Sequence, residues 1–198
     1  LAGSVTGTSN ISGILVHNRG MGGTDSGKHI IVTEGAGSAG GLVGSMTGGS
    51  VQACAVAVYV KSSGNAGGLI GTTSGVTVDS CYAGGHTQGA KYLTEVGDDT
   101  PGRVNVIGGA SAGGLIGSAT NTSISYSYTT ASVKGATPGG FIGTRSGGTI
   151  NNAYASGLVV PATEGDKPYP FIGNGNEQTD ITNASYLLGV TTVVLNDQ

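Results

Sequence analysis

The chain has 198 residues, 40 of them glycine, with 10% charged residues, no tryptophan and a net charge of −3. That composition excludes collagen, because no strict Gly-X-Y period exists, and disorder, because 37% of the residues are hydrophobic and sit in short β-branched runs. It also excludes a nucleic-acid footprint, because the basic residues are scattered, and a membrane helix, because no apolar run approaches about 18 residues.

The N-terminus holds a degraded copy of a pattern, around Val5, Ile11 and Ile14. Gly40-Gly41-Leu42-Val43-Gly44 is its first clear statement, followed by Val51, Cys54 and Val60. Gly67-Gly68-Leu69-Ile70-Gly71 repeats it with Val78, Cys81, Tyr82 and Thr87. Gly113-Gly114-Leu115-Ile116-Gly117 continues with Ile124, Ser127, Tyr128 and Val133. Gly139-Gly140-Phe141-Ile142-Gly143 follows with Ile150, Ala153, Tyr154 and Val159. A worn copy, Pro170-Phe171-Ile172-Gly173, leads to Ile181, Ala184, Tyr186 and Val190. A strand-like run, Thr191 to Leu195, closes the chain.

Each copy reads as three short strands with Gly- or Asn-rich corners. A period of this length in register defines a repeat architecture. We therefore expect an all-β fold over residues 1–198, a right-handed parallel β-helix of five to six coils with about three strands per coil. Stacked coils at a strand spacing of about 4.8 Å make a continuous core that no single coil could bury. Leu42, Leu69, Leu115 and Phe141 should form one inward ladder, and Val51, Val78, Ile124 and Ile150 another. The paired glycines suit corners that need a positive φ or close backbone approach. Strict alternation along Val78-Asp79-Ser80-Cys81-Tyr82 would put Cys81 opposite Val78. A bend at Asp79-Ser80 resets the parity, so that Val78 and Cys81 both point in and Tyr82 points out. The same bend falls at Ser125-Tyr126 and Asn151-Asn152. Tyr82, Tyr128, Tyr154 and Tyr186 should then form an outward ladder, able to pack together or to offer a platform for sugars.

At these residues the chain resembles the GLUG-motif repeat family, whose pattern runs G-G-L-V-G, a gap, then I-x-N-C-Y-A. Gly68 to Gly71 with Val78 to Ala83, and Gly140 to Gly143 with Ile150 to Ala155, carry the likeness. It covers roughly residues 38–190 apart from two insertions. Such repeats occur in bacterial surface adhesins and in the non-catalytic N-terminal regions of IgA-specific metalloproteases. The resemblance implies an extracellular, secreted or cell-surface location and supplies no catalytic residue. The function we expect is a structural or adhesive module that presents loops to a protein or glycan ligand on a host or neighbouring cell. The alternative is an accessory or spacer domain of a secreted protease.

The residues themselves point away from catalysis and from any cofactor. His17, His29 and His86 form no H-E-x-x-H. No G-x-S-x-G elbow appears between a strand and a helix. The adjacent carboxylates Asp98 and Asp99 lie in an Asp-Thr-Pro-Gly turn sequence, with calcium binding and glycoside hydrolysis as rarer uses. Cys54 and Cys81 occupy the same position in adjacent coils. Stacked inward, their Cα atoms would lie within the disulfide range of about 4.4–6.8 Å, and an extracellular setting permits oxidation. The competing reading, which we prefer, is two reduced, buried small hydrophobes. An ice-binding face would need Thr-x-Thr in every coil, and Thr120-Asn121-Thr122 is a lone match.

Insertions at 20–38, 90–110 and 160–170 are expected between the third strand of one coil and the first of the next, hence along one edge. They hold 11 of the 19 charged residues. Loops on a rigid scaffold are where binding concentrates. The largest, with Tyr92, Asp98, Asp99 and Arg103, is the candidate binding loop. The chain opens mid-pattern at Leu1 with no signal peptide, so it reads as a piece of something longer. With no capping element at either end, flanking domains or end-to-end self-association are expected partners.

Overall fold

A computed structural model describes residues 2–17, 30–33, 35–84, 105–163, 168–174, 179–188 and 191–195. Among these the chain is all strand and turn, and the repeat copies pair in parallel. The fold is a parallel β-solenoid with three walls.

The first wall stacks Ala2–Thr6, Val43–Thr47, Ile70–Ser74, Ile116–Thr120 and Ile142–Ser146, with Ile172 bridging to Ile142 beyond them. The second wall begins with Asn10–Ser12, Ser50–Gln52, Thr77–Asp79 and Ser123–Ser125, and past a bend with Leu15–His17, Ala55–Ala57, Tyr82–Ala83 and Tyr128–Thr129. The longer strands Ile150–Ala155 and Ile181–Leu188 then run through both halves. The third wall is built from Ile30–Thr33, Tyr59–Ser62, Val106–Gly113, Val133–Gly139 and Val159–Pro161, joined by Ala39–Gly40 and Asn65–Gly67.

The core is a set of ladders. Leu42, Leu69, Leu115, Phe141 and Phe171 follow one another through main-chain bonds of 2.8–2.9 Å. All five are buried, and the two phenyl rings stack at 4.8 Å and 2°. Val51, Val78, Ile124, Ile150 and Ile181 form the second expected ladder, with Ile11 at its head. A third ladder, Val43, Ile70, Ile116, Ile142 and Ile172, lies just past the motif glycines. Burying each such side chain contributes about 1.5–3 kcal/mol, and each is covered by its equivalents above and below.

The motif glycines are required by backbone proximity. None of Gly40, Gly67, Gly113 or Gly139 has a positive φ. A Cβ on Gly113 would strike the Ile116 carbonyl and come 2.7 Å from the Gly143 nitrogen in the next coil. Corners that do need a positive φ lie elsewhere. One runs through Gly13, Ala53, Ser80, Tyr126, Asn152 and Asn183, with φ between 47 and 66°. This column is the bend expected inside the second wall. One left-handed residue per coil resets the alternation, so Val78 and Cys81 are both buried.

Two expectations are corrected. The insertions do not share the edge between third and first walls. Residues 18–29 fall between Leu15–His17 and Ile30–Thr33, and residues 85–104 between the Tyr82–Ala83 and Val106–Gly113 strands, that is, at the corner between second and third walls. A regular coil crosses this corner with Val58 alone, because His17 pairs with Ala57 and Ile30 with Tyr59. Val106, not Thr87, is the partner of Val60 and Val133. Val106–Gly113 also carries a bulge between Gly108 and Ser111. The insertion near 160–170 interrupts the third wall itself, after Val159–Pro161 and before Tyr169, which bridges to Gly139. Thr87, Val190, His29 and His86 lie outside the described residues.

The C-terminal end is not bare either. Ile181–Leu188 turns back into an antiparallel pair with Thr191–Leu195, which covers the last edge of the second wall. On the first wall the Asn174 side chain replaces a strand: its Oδ1 accepts from the Arg145 amide at 3.2 Å and its Nδ2 donates to the Arg145 carbonyl at 2.7 Å. The buried Arg145 guanidinium, last in the inward column of Met46, Thr73 and Ala119, donates to the carbonyls of Thr179 at 2.9 Å and Gly148 at 2.6 Å. At the opposite end Leu15 is 69% exposed and Ile14 36%.

Candidate functional site

The candidate binding loop residues Tyr92, Asp98, Asp99 and Arg103 lie outside the described residues. What the structure positions clearly is the outer surface of the second wall.

Alternation sends every second residue outward on each side of the bend. Before it, Ser12, Gln52, Asp79, Ser125, Asn151 and Thr182 stack in one column. Ser125 Oγ donates to Asp79 Oδ1 at 2.5 Å, Ser80 Oγ to its Oδ2 at 3.0 Å, and Gln52 Nε2 to Oδ2 at 3.3 Å. The Ser125 bond is the largest cause holding the Asp79 carboxyl below the usual aspartate value of 3.8, with Ser80 and Gln52 acting in the same direction against desolvation. The result is a carboxylate fixed in place on an otherwise uncharged column.

After the bend comes the aromatic column. Tyr82 pairs with Tyr128 and Tyr128 with Tyr154, all three pointing out. The Tyr82 and Tyr128 rings lie 4.5 Å apart, tilted by 31°, and the Tyr82 hydroxyl bonds Thr130 Oγ1 at 2.9 Å. Each of those two rings therefore shields one face of the other, and Tyr128 stays 46% exposed. Tyr186 does not extend the column. Ser185 takes the outward place beside Tyr154, and Tyr186 pairs with the inward Ala155. Its ring packs on the core, 6.4 Å from Phe171. Tyr186 comes one residue later than its counterparts, and a one-residue slip moves a side chain to the other face.

Between the two columns stands Tyr126, which the spacing that predicts the aromatic column does not include. It occupies the left-handed bend with φ 47° and is 65% exposed. Its neighbours along the stack are the small residues Ser80 and Asn152. A bulky side chain is an outlier at positive φ, where Asn is tolerated. The sequence signal for it is Tyr126 standing where other copies carry Ala53, Ser80, Asn152 and Asn183.

Cys54 and Cys81 are free and buried. Each thiol donates to the carbonyl two residues before it, Cys54 to Gln52 and Cys81 to Asp79, both at 3.2 Å. Both thiols are thus directed at main-chain carbonyls, and no disulfide joins them. Burial pushes the Cys81 thiol up to about 12, so it is protonated and unreactive at neutral pH. Thr120 is exposed and Thr122 buried, donating to Thr73 Oγ1 at 2.9 Å, so the lone Thr-x-Thr does not share a face. Among the described residues no group of three or more His, Cys, Asp or Glu is placed to hold a metal ion.

Fold and surface together define a β-solenoid with one aromatic and polar face. Compared with family models, curated proteins and solved structures, the chain finds no match.

Proposed function

We propose that this chain is a non-catalytic extracellular module of a large bacterial surface protein, of the GLUG-like repeat type, in which a rigid solenoid presents a surface for binding. The observation that carries the reading is the division of the coil. An unbroken apolar core runs from Val43 to Ile172, while columns of outward residues repeat along each wall. Ladders of equivalent residues make a stiff rod whose surface recurs at the strand spacing of about 4.8 Å. Such a surface suits an extended partner better than a reaction, which needs acid and base groups converging on one atom.

The test is an in-frame deletion of residues 1–198 from the parent gene, with export of the remaining protein checked by surface labelling. Attachment of the cells to host or neighbouring cells should fall while export persists. Unchanged attachment would overturn the adhesive reading. Loss of a secreted proteolytic activity instead would assign the module to an accessory role.

A further inference from the structure

We propose that the outer face of the second wall around Tyr126 binds a neutral oligosaccharide, with one pyranose ring seated on the Tyr126 ring and its hydroxyls bonded to Asp79 and Asn152. The proposal deepens the reading of the chain as a binding module, on which it rests, by naming the class of ligand.

Three features of the face carry it. Tyr126 is the most exposed tyrosine of that face, 65% against 46% for Tyr128, and among the described residues no ring contact covers it. Tyr82 and Tyr128 turn facing surfaces on each other, whereas Tyr126 rises from the bend between Ser80 and Asn152, 65% exposed. A tyrosine offers a rigid apolar plate at low entropic cost. The C–H face of a pyranose is the complementary surface. Left-handed backbone at a bulky residue costs about 1–2 kcal/mol relative to a residue that tolerates it, and such outliers concentrate at functional positions.

Hydrogen-bonding groups flank this plate in fixed positions. Asp79 is held by Ser125, Ser80 and Gln52. Asn152 Oδ1 accepts from Asn183 Nδ2 at 3.3 Å, which leaves the Asn152 amide group as a donor. A carboxylate acceptor and an amide donor, oriented before binding, match the vicinal hydroxyls of a sugar and lower the ordering cost of binding.

The third feature is charge. Asp79 is the one charged residue in the columns flanking Tyr126, which run from Ser12 to Thr182 and from Ala55 to Ser185. A polyanion would be repelled, and a charged protein surface would find few partners. A neutral chain of pyranoses fits. It can also lie along the stack, since the columns repeat at about 4.8 Å, similar to the advance of one sugar in an extended chain.

The experiment titrates the 198-residue chain with neutral hexasaccharides of β-1,4-linked glucose, mannose, xylose and N-acetylglucosamine, read by chemical shifts and calorimetry, with a sulfated hexasaccharide alongside. At least one neutral probe should bind. Tyr126→Asn, which installs the residue found at the same bend in the next coils, should weaken binding at least tenfold while keeping the native circular dichroism spectrum. Asp79→Asn should weaken it as well. Tyr169→Ala, off the second wall, should bind as the parent does. No binding by all four neutral probes, preference for the sulfated one, or unchanged affinity in Tyr126→Asn would overturn the proposal. If no probe binds but deleting the module still abolishes attachment, the glycan site fails and the module reading stands. If a neutral probe binds through Tyr126 but deletion leaves attachment unchanged, the glycan site stands and the adhesive reading fails.

Discussion

The bend residues carry the sharpest chemistry at the scale of single side chains. Every coil uses one left-handed residue to bring two inward positions three apart in sequence onto one face. Where that residue is Gly13, Asn152 or Asn183 the conformation is easily reached; where it is Ala53, Ser80 or Tyr126 it is not. Ala53 is exposed, and its methyl group makes no hydrogen bond that a substitution would break. Ala53→Asn should therefore raise stability by about 0.5–1 kcal/mol, since a non-glycine residue there costs about 1–2 kcal/mol and Asn relieves part of it. Urea midpoints at unchanged slope would measure the gain, and a loss would show that Asn does not relieve this bend. Asp79 supplies a pH dependence. Its carboxyl is held below the ordinary value of 3.8, chiefly by Ser125. The sign follows from linkage: the contribution is fully present above the unfolded value and is lost as pH falls through the lower native one. Asp79→Asn should flatten the acid limb of the stability curve below about pH 4 and leave the neutral region parallel to the parent. A variant curve that keeps the parent's acid slope would show that Asp79 does not set that limb.

Among elements, the contrast between glycines separates two roles that composition alone merges. Gly113 lies where a Cβ would collide with the Ile116 carbonyl, and the main chain of the neighbouring coil closes the other side. Gly37 has open space around it and no positive φ. Gly113→Ala should cost about 3 kcal/mol or more, since overpacking against backbone has nowhere to relax. Gly37→Ala should stay within about 0.5 kcal/mol of the parent, as exposed substitutions do. Similar losses in the two variants, by thermal melting, would mean the stack tolerates more separation than its contacts indicate. The Phe141 ladder position makes the complementary case. Phe141 is fully buried and stacked on Phe171, so Phe141→Ala should cost about 3–5 kcal/mol. Phe141→Leu, which restores the residue of the preceding coils, should recover most of it. Equal damage from both would show that ring stacking, rather than filled volume, holds this end together.

Over the whole molecule the two ends differ. The C-terminal end is finished by the Thr191–Leu195 strand, by the Asn174 side chain standing in for a strand, and by Arg145 bonded to Thr179 and Gly148. Open parallel edges template further pairing, so removing the finish should expose one. Truncation after residue 188 should convert the chain to concentration-dependent oligomers in sedimentation velocity. A truncated chain that sediments like the parent at every concentration would show that the hairpin is not what blocks the edge.

The repeat was legible from sequence because solenoid stacking forces equivalent residues into equivalent places. The spacing from the last motif glycine to Val51, Val78, Ile124 and Ile150 is constant, since each coil must match the perimeter of its neighbour. That alone determined the parallel all-β fold, the inward ladders and the bend at Asp79-Ser80. Where a copy drifts, counting fails. Tyr186 looks like Tyr154 displaced by one, and one residue in a strand is the difference between outside and inside. Thr87 sits at the right distance from Val78, yet main-chain pairing selects Val106, because a loop of any length can leave the stack at a corner and return to it. The hairpin at the C-terminal edge likewise depends on which strand reaches an unsatisfied edge, which no local pattern encodes. Tertiary structure also isolated Tyr126: its sequence neighbours are ordinary, and its exposure arises only from small residues stacked above and below it in coils 46 and 26 residues away.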